Sequence, residues 1–128
     1  MPTFPGTTGD VVTSAMWNGL PAFTVQTAKT ADYTAASGDE YQQLIPMNKA
    51  TAIAFKIPTD ATYNFAVGTA ITVLSIGVGA VTISAVTSGT TTILSGGAVP
   101  AAPTLAQYKS AVCIKTAANT WYVVGGIA

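Results

Sequence analysis

Five carboxylates (Asp10, Asp32, Asp39, Glu40, Asp60), five lysines (Lys29, Lys49, Lys56, Lys109, Lys115), one cysteine and no histidine make up most of this chain's reactive chemistry. Without histidine the chain lacks the commonest general base near neutral pH and the commonest metal ligand, so His-based triads and zinc centres are excluded. Asp39 and Glu40 are adjacent; a strand would point them to opposite faces and a turn would leave both solvated, so a hydrolytic acid–base pair, with Asp60 as a third carboxylate, is a poor reading. Cys113 has no partner for an intrachain disulfide and sits between Val112 and Ile114 in an apolar strand pattern, which reads as a buried, inert thiol. Gly77-Val78-Gly79 lacks the lysine and the helix that a phosphate cradle requires and reads as a turn. The expectation is a protein that is not an enzyme, with no catalytic residue, no cofactor and no metal.

What must position so little chemistry is one small domain. The 128 residues fit one core; 49% are hydrophobic and only 8% charged, against about 25% charged in an ordinary soluble domain. Part of the surface therefore needs another cover. A net charge of zero and the absence of arginine remove the field and the guanidinium fork that favour phosphate, so no nucleic-acid partner is expected. No run of about 18 apolar residues occurs, because Ala66 to Val86 is interrupted by Gly68, Thr69, Thr72, Ser75, Gly77, Gly79, Thr82 and Ser84; no membrane span is expected. Met1 to Asp10 carries no basic residue, which predicts no signal peptide and synthesis in the cytoplasm.

Residues 1–22 read as an N-terminal arm followed by one short helix, and residues 23–128 as a β domain. Met1 to Asp10 is rich in Pro, Gly and Thr and cannot pack on itself. Thr13 or Ser14 can cap a helix that Gly19 ends, with Met16, Trp17 and Leu20 on one side; two turns of helix need a surface to dock on. Phe4, Val11, Val12, Met16, Trp17 and Leu20 are the candidate attachment residues. From Phe23 onward short β-type runs alternate with turn residues, predicting an all-β antiparallel sandwich or barrel of jelly-roll type. Ile53, Phe55 and Ile57 should share one face. Thr69 to Ile76 and Ala80 to Val86 should pair as an antiparallel hairpin through Gly77-Val78-Gly79. A second hairpin should join Ala111 to Thr116 and Trp121 to Val124, with Asn119 left-handed in the turn. Thr90 to Leu94 reads as a lesser strand, Tyr33 to Glu40 as irregular with a turn at Gly38-Asp39, and Gly96 to Tyr108 as a surface loop carrying Leu105 and Tyr108 inward.

Trp121 and Tyr122 must face opposite sides of their strand, and Thr72, Leu74 and Ile76 oppose Ile71, Val73 and Ser75. Both faces of this strand are thus substantially apolar, one for the core and one for a neighbour. Leu74, Ile76, Tyr122 and Val124 are the candidate oligomer-interface residues.

The stretch from Val67 to Ile83, VGTAITVLSIGVGAVTI, resembles a pattern seen in small β domains of tailed-bacteriophage structural proteins, including tail-fibre tips and capsid decoration or head-fibre proteins. Gln107-Tyr108 to Lys115, followed by Asn119, Trp121, Val123 and Gly125, is similar to the ending of that group. The resemblance covers about Tyr33 to Gly126. It implies a virion structural protein on the particle exterior, a homo-oligomer and often a trimer. The short arm suits a capsid decoration subunit whose residues 1–22 bind the major capsid protein or another virion protein. The alternative is a tail-fibre tip or receptor-binding adhesin that holds a host surface glycan through aromatics such as Tyr63 or Tyr122.

Overall fold

The computed structural model describes residues 25–41 and 44–128; the expected arm and helix, with Phe4, Val11, Val12, Met16, Trp17 and Leu20, lie outside them. Among the described residues every element is a strand: β1 (Tyr33–Thr34), β2 (Leu44–Met47), β3 (Ile53–Ile57), β4 (Ala70–Ser75), β5 (Val81–Ala85), β6 (Thr92–Ser95), β7 (Thr104–Leu105), β8 (Ser110–Ala117) and β9 (Thr120–Gly125). They form two sheets, β2-β4-β8-β9-β6 and β1-β3-β5-β7. Among the described residues the fold is all-β and sandwich-like, as expected, but it is neither a barrel nor antiparallel throughout. β1–β3, β2–β4, β3–β5 and β6–β9 are parallel pairs, whereas β4–β8, β5–β7 and β8–β9 are antiparallel.

The parallel pairs arise because the chain repeatedly steps from one sheet to the other. β2 lies in the first sheet and β3 in the second, and β4 and β5 repeat the step on top of them. The same 28-residue offset separates Leu44 from Thr72 and Ile53 from Val81 across the two ladders. Residues 25–35 start a third layer: Gln26 N–H donates to Leu44 O and Lys29 N–H to Pro46 O, both at 2.9 Å, before β1 pairs with β3.

The expected β4–β5 hairpin does not form. In a hairpin, the inward residues of both strands would lie on one sheet face; in the observed arch Ile71 and Val73 belong to one wall of the core and Val81 and Ile83 to the other. The connecting residues run against the preceding arch, with Ile76 N–H donating to Met47 O at 3.0 Å and Gly79 N–H to Lys49 O at 2.9 Å. Glycine is needed here for closeness. A Cβ on Gly79 would lie 1.8 Å from the Thr51 carbonyl oxygen, and one on Gly77 2.4 Å from the Lys49 backbone.

Alternation builds the core as the sequence suggests. Ile53, Phe55 and Ile57 point inward from β3, Ile45 and Met47 from β2, Ala111 and Cys113 from β8, and Trp121 and Val123 from β9. The β8–β9 hairpin is present, with Asn119 at φ 48° and a register shift between Lys115 and Ala117. The 96–108 segment departs from its reading as a loop. Thr104–Leu105 pairs with Thr82 and Val81, so Leu105 is buried, but Tyr108 is exposed. Its backbone is left-handed, φ 67°, and its N–H donates to Ser75 O at 2.7 Å, which holds the chain so that the ring stays in solvent.

Gly79→Ala should therefore destabilise the domain by about 2–4 kcal/mol, because the clash is with backbone that cannot rotate away. Gly96→Ala, where an added Cβ meets nothing within 4 Å, should stay within about 0.5 kcal/mol. Urea denaturation of the two variants beside the parent checks the pair; equal midpoints would contradict the stacked arches.

Candidate functional site

The two sheets differ on their outer faces. On β3, β5 and β7 the outward positions are Ala54, Lys56, Thr82, Ser84 and Thr104, a polar face that water can cover. On the five-stranded sheet they are Leu44 from β2, whose Pro46 is outward in phase but buried, Ala70, Thr72 and Leu74 from β4, Val112 and Ile114 from β8, Tyr122 and Val124 from β9, and Thr92 and Leu94 from β6, with Ser110 and Thr120 at the ends. None of these is charged. Register sets them in rows: Leu44, Thr72, Val112 and Val124 cross the sheet side by side, and Ala70, Ile114, Tyr122 and Leu94 form the next row.

Three of the four candidate interface residues, Leu74, Tyr122 and Val124, lie on this face, Tyr122 43% and Val124 48% exposed. Ile76 follows in the same phase but sits just past β4, half-buried beside the arch. Trp121, on the opposite side of β9 from Tyr122, is 1% exposed. Five strands about 4.8 Å apart and six residues at about 3.3 Å give a face of roughly 400 Å² in projection. That whole face, its Ser and Thr positions included, falls within the range of the largest apolar patch on an ordinary monomer and is about half of what one partner contributes to a standard interface.

The carboxylates are engaged in holding the chain. Asp39 lies in a turn yet is buried, against the expectation of a solvated pair: it accepts from Tyr33 Oη at 2.8 and 3.0 Å, Gln26 Nε2 at 2.7 Å and Ala36 N–H at 2.8 Å. Glu40 accepts from Gly38 N–H and from Tyr63 Oη, both at 2.6 Å. Tyr63 packs edge-on against Phe65, centroids 4.5 Å apart, so it is half-buried with its hydroxyl engaged rather than a free stacking platform. Asp60 is paired with Lys115 at 2.8 Å and also accepts from Asn119 N–H at 2.9 Å. Desolvation pushes the Asp60 carboxyl up, but the bonds from Lys115 and Asn119 outweigh it and leave its pKa below the ordinary value. Cys113 is buried, and burial pushes its thiol up to about 12.

Lys115 itself was not singled out from the sequence. It is 1% exposed and points into the core. The signal was present, because Lys115 is in phase with Ala111 and with Cys113, already read as inward-facing.

Fold and surface together define a two-sheet all-β module with one polar and one apolar outer face. Comparison with family models, with curated proteins and with solved structures gives no match.

The Asp39 turn makes stability depend on alkaline pH. Burial first, then the bond to Asp39, push the Tyr33 phenol up to about 12. A raised value favours the neutral phenol in the folded state, so this stabilisation is complete below the ordinary phenol value of about 10 and is lost as pH rises through about 12. Tyr33→Phe should lower stability at neutral pH by about 1–3 kcal/mol, since Asp39 loses a donor in a buried setting, and should flatten this share of the pH 10 to 12 decline. Urea midpoints measured as a function of pH check both; an unchanged alkaline slope would contradict the assignment.

Proposed function

We propose that this protein is a virion structural subunit of the capsid-decoration kind, which associates with further copies through the outer face of its five-stranded sheet and attaches to the particle exterior through residues 1–22. The observation that carries the reading is the contrast between that uncharged, apolar face and the polar face opposite. The largest apolar patch on a protein of this size is often a functional surface. The face's roughly 400 Å² is too small for a stable interface alone, which supports a second contact region such as the arm, with Phe4, Val11, Val12, Met16, Trp17 and Leu20. The resemblance of the 67–83 and 107–125 stretches to phage structural β domains points to the major capsid protein or another virion protein as the partner, and to a homo-oligomer, with a trimer favoured. A receptor-binding tail tip is the second reading; the exposed Tyr122 ring supports it.

Light scattering on the full chain should give an oligomer at micromolar concentration, and Tyr122→Lys combined with Val124→Lys should give a monomer whose unfolding midpoint is close to the parent's, because neither side chain faces the core. A parent that is monomeric and soluble would overturn the self-association. Deletion of residues 1–22 should abolish particle binding while the β domain stays folded. Label on the head in electron micrographs of particles supports decoration; label confined to the tail would replace it with the adhesin.

A further inference from the structure

Lys115 Nζ touches three oxygens and each lies in a different chemical group: the Asp60 carboxylate at 2.8 Å, the Asn64 side-chain amide at 2.7 Å and the Phe65 main-chain carbonyl at 2.6 Å. A buried amine, a carboxamide and a carboxylate sharing one contact point are the complete set for an amide exchange. We propose that Lys115 and Asn64 condense to an intramolecular isopeptide bond, with Asp60 carrying the protons.

The step balances within the chain. The Lys115 ammonium gives one proton to Asp60 along their hydrogen bond, and the freed lone pair attacks Cγ of Asn64. A C–N bond forms while the carbonyl electron pair moves onto Oδ1. The Asn64 nitrogen takes up the proton from Asp60, the carbonyl reforms as the bond to that nitrogen breaks, and the departing ammonia carries off the second proton of the attacking nitrogen, leaving as ammonium. Asp60 ends as the carboxylate it began as; the sum is one ammonium and one amide exchanged for a new amide and an ammonium ion, with no oxidant and no water.

Geometry favours both ends of the reaction. Because a C=O bond is about 1.2 Å long, Asn64 Cγ lies within about 4 Å of Nζ, close to the roughly 3–3.5 Å of a near-attack arrangement. Lys115 is 1% exposed and fixed by β8, so the amine is held against the amide rather than diffusing to it. The product has a single N–H, and the Phe65 carbonyl is already placed to accept it. Asn64 and Asp60 line an open cleft of about 290 Å³ together with Ala66, Val67 and Ala118, through which ammonia can depart. The bond would tie the segment after β3 to β8 across 51 positions of sequence, shortening the unfolded chain's freedom as a disulfide does. It is a single-turnover event and does not depend on what the apolar face binds.

The test is the intact mass of the folded, full-length protein after prolonged incubation, followed by a tryptic map. The expected result is a mass lower than that of the sequence by one ammonia, loss of cleavage after Lys115, and a branched peptide joining Asn64 to Lys115. Asn64→Ala keeps the Lys115–Asp60 pair and should show the full mass; Asp60→Asn should also show it. The Asn18-Gly19 pair can lose ammonia on its own by succinimide formation, so the branched peptide decides. Full mass in the parent, or an ammonia loss that persists in Asn64→Ala without a branched peptide, would overturn the proposal and leave an ion pair only.

Discussion

An ammonium group at the base of an apolar sandwich has to be met by oxygen atoms, because its desolvation costs several kcal/mol that only close acceptors offset. Lys115 finds three of them, and all three come from the 60–65 segment. This requirement folds the chain after β3 back over the end of β8. Once there, the segment sets Phe65 edge-on to Trp121, ring centroids 5.6 Å apart, and Tyr63 edge-on to Phe65. Tyr63 reaches Glu40, whose neighbour Asp39 holds Tyr33 and Gln26. A single buried charge is thereby connected, contact by contact, to the layer that residues 25–35 start. On the far side Asp60 exchanges hydrogen bonds with Asn119, so the β8–β9 turn is tied to the same segment.

The stacked arches impose the second constraint. Once β3 lies in the opposite sheet from β2, the next strand pair can pair parallel on both only by making the same crossing, and the two corners must nest. Gly77 and Gly79 are the consequence: their missing side chains let backbone meet backbone at Lys49 and Thr51. β8 and β9 then close the first sheet in antiparallel fashion, and β6 joins β9 in parallel at the far edge. The mixture of parallel and antiparallel ladders follows from two arches succeeded by one hairpin.

This explains which parts of the structure were legible in the sequence. Period-two alternation reports which side chains share a face, and Phe55, Trp121 and Tyr122 lie where it places them. It does not report which strand is the neighbour. Gly77-Val78-Gly79 fits a hairpin turn and an arch corner equally well, because both need glycine, and only the approach of residues 47–51, distant in sequence, distinguishes them. The repeat beneath the arches was equally hidden: between positions 44–57 and 72–85, Ala52 and Ala80 are the only identical pair, since the stacking needs an apolar phase rather than particular residues. Tyr108 was misplaced because its inward reading assumed extended backbone, and a left-handed φ of 67° breaks the alternation. Lys115 was missed because its type outweighed its phase.

The same alternation separates the core from the outer face. In β9, Trp121 and Val123 carry the core while Tyr122 and Val124, one residue away, carry the outer face. A change at Tyr122 or Val124 leaves the packing around Lys115 and Phe65 untouched, so the outer surface is free to vary without loss of the scaffold. An uncharged face supplies affinity in proportion to area but little orientation, since apolar contact is non-directional. Orientation would then have to come from the polar rim or from chain outside the sheet. If the proposed attachment through residues 1–22 holds, two weak contacts acting together would place the module in its assembly, the apolar surface supplying affinity and the second contact limiting where it settles.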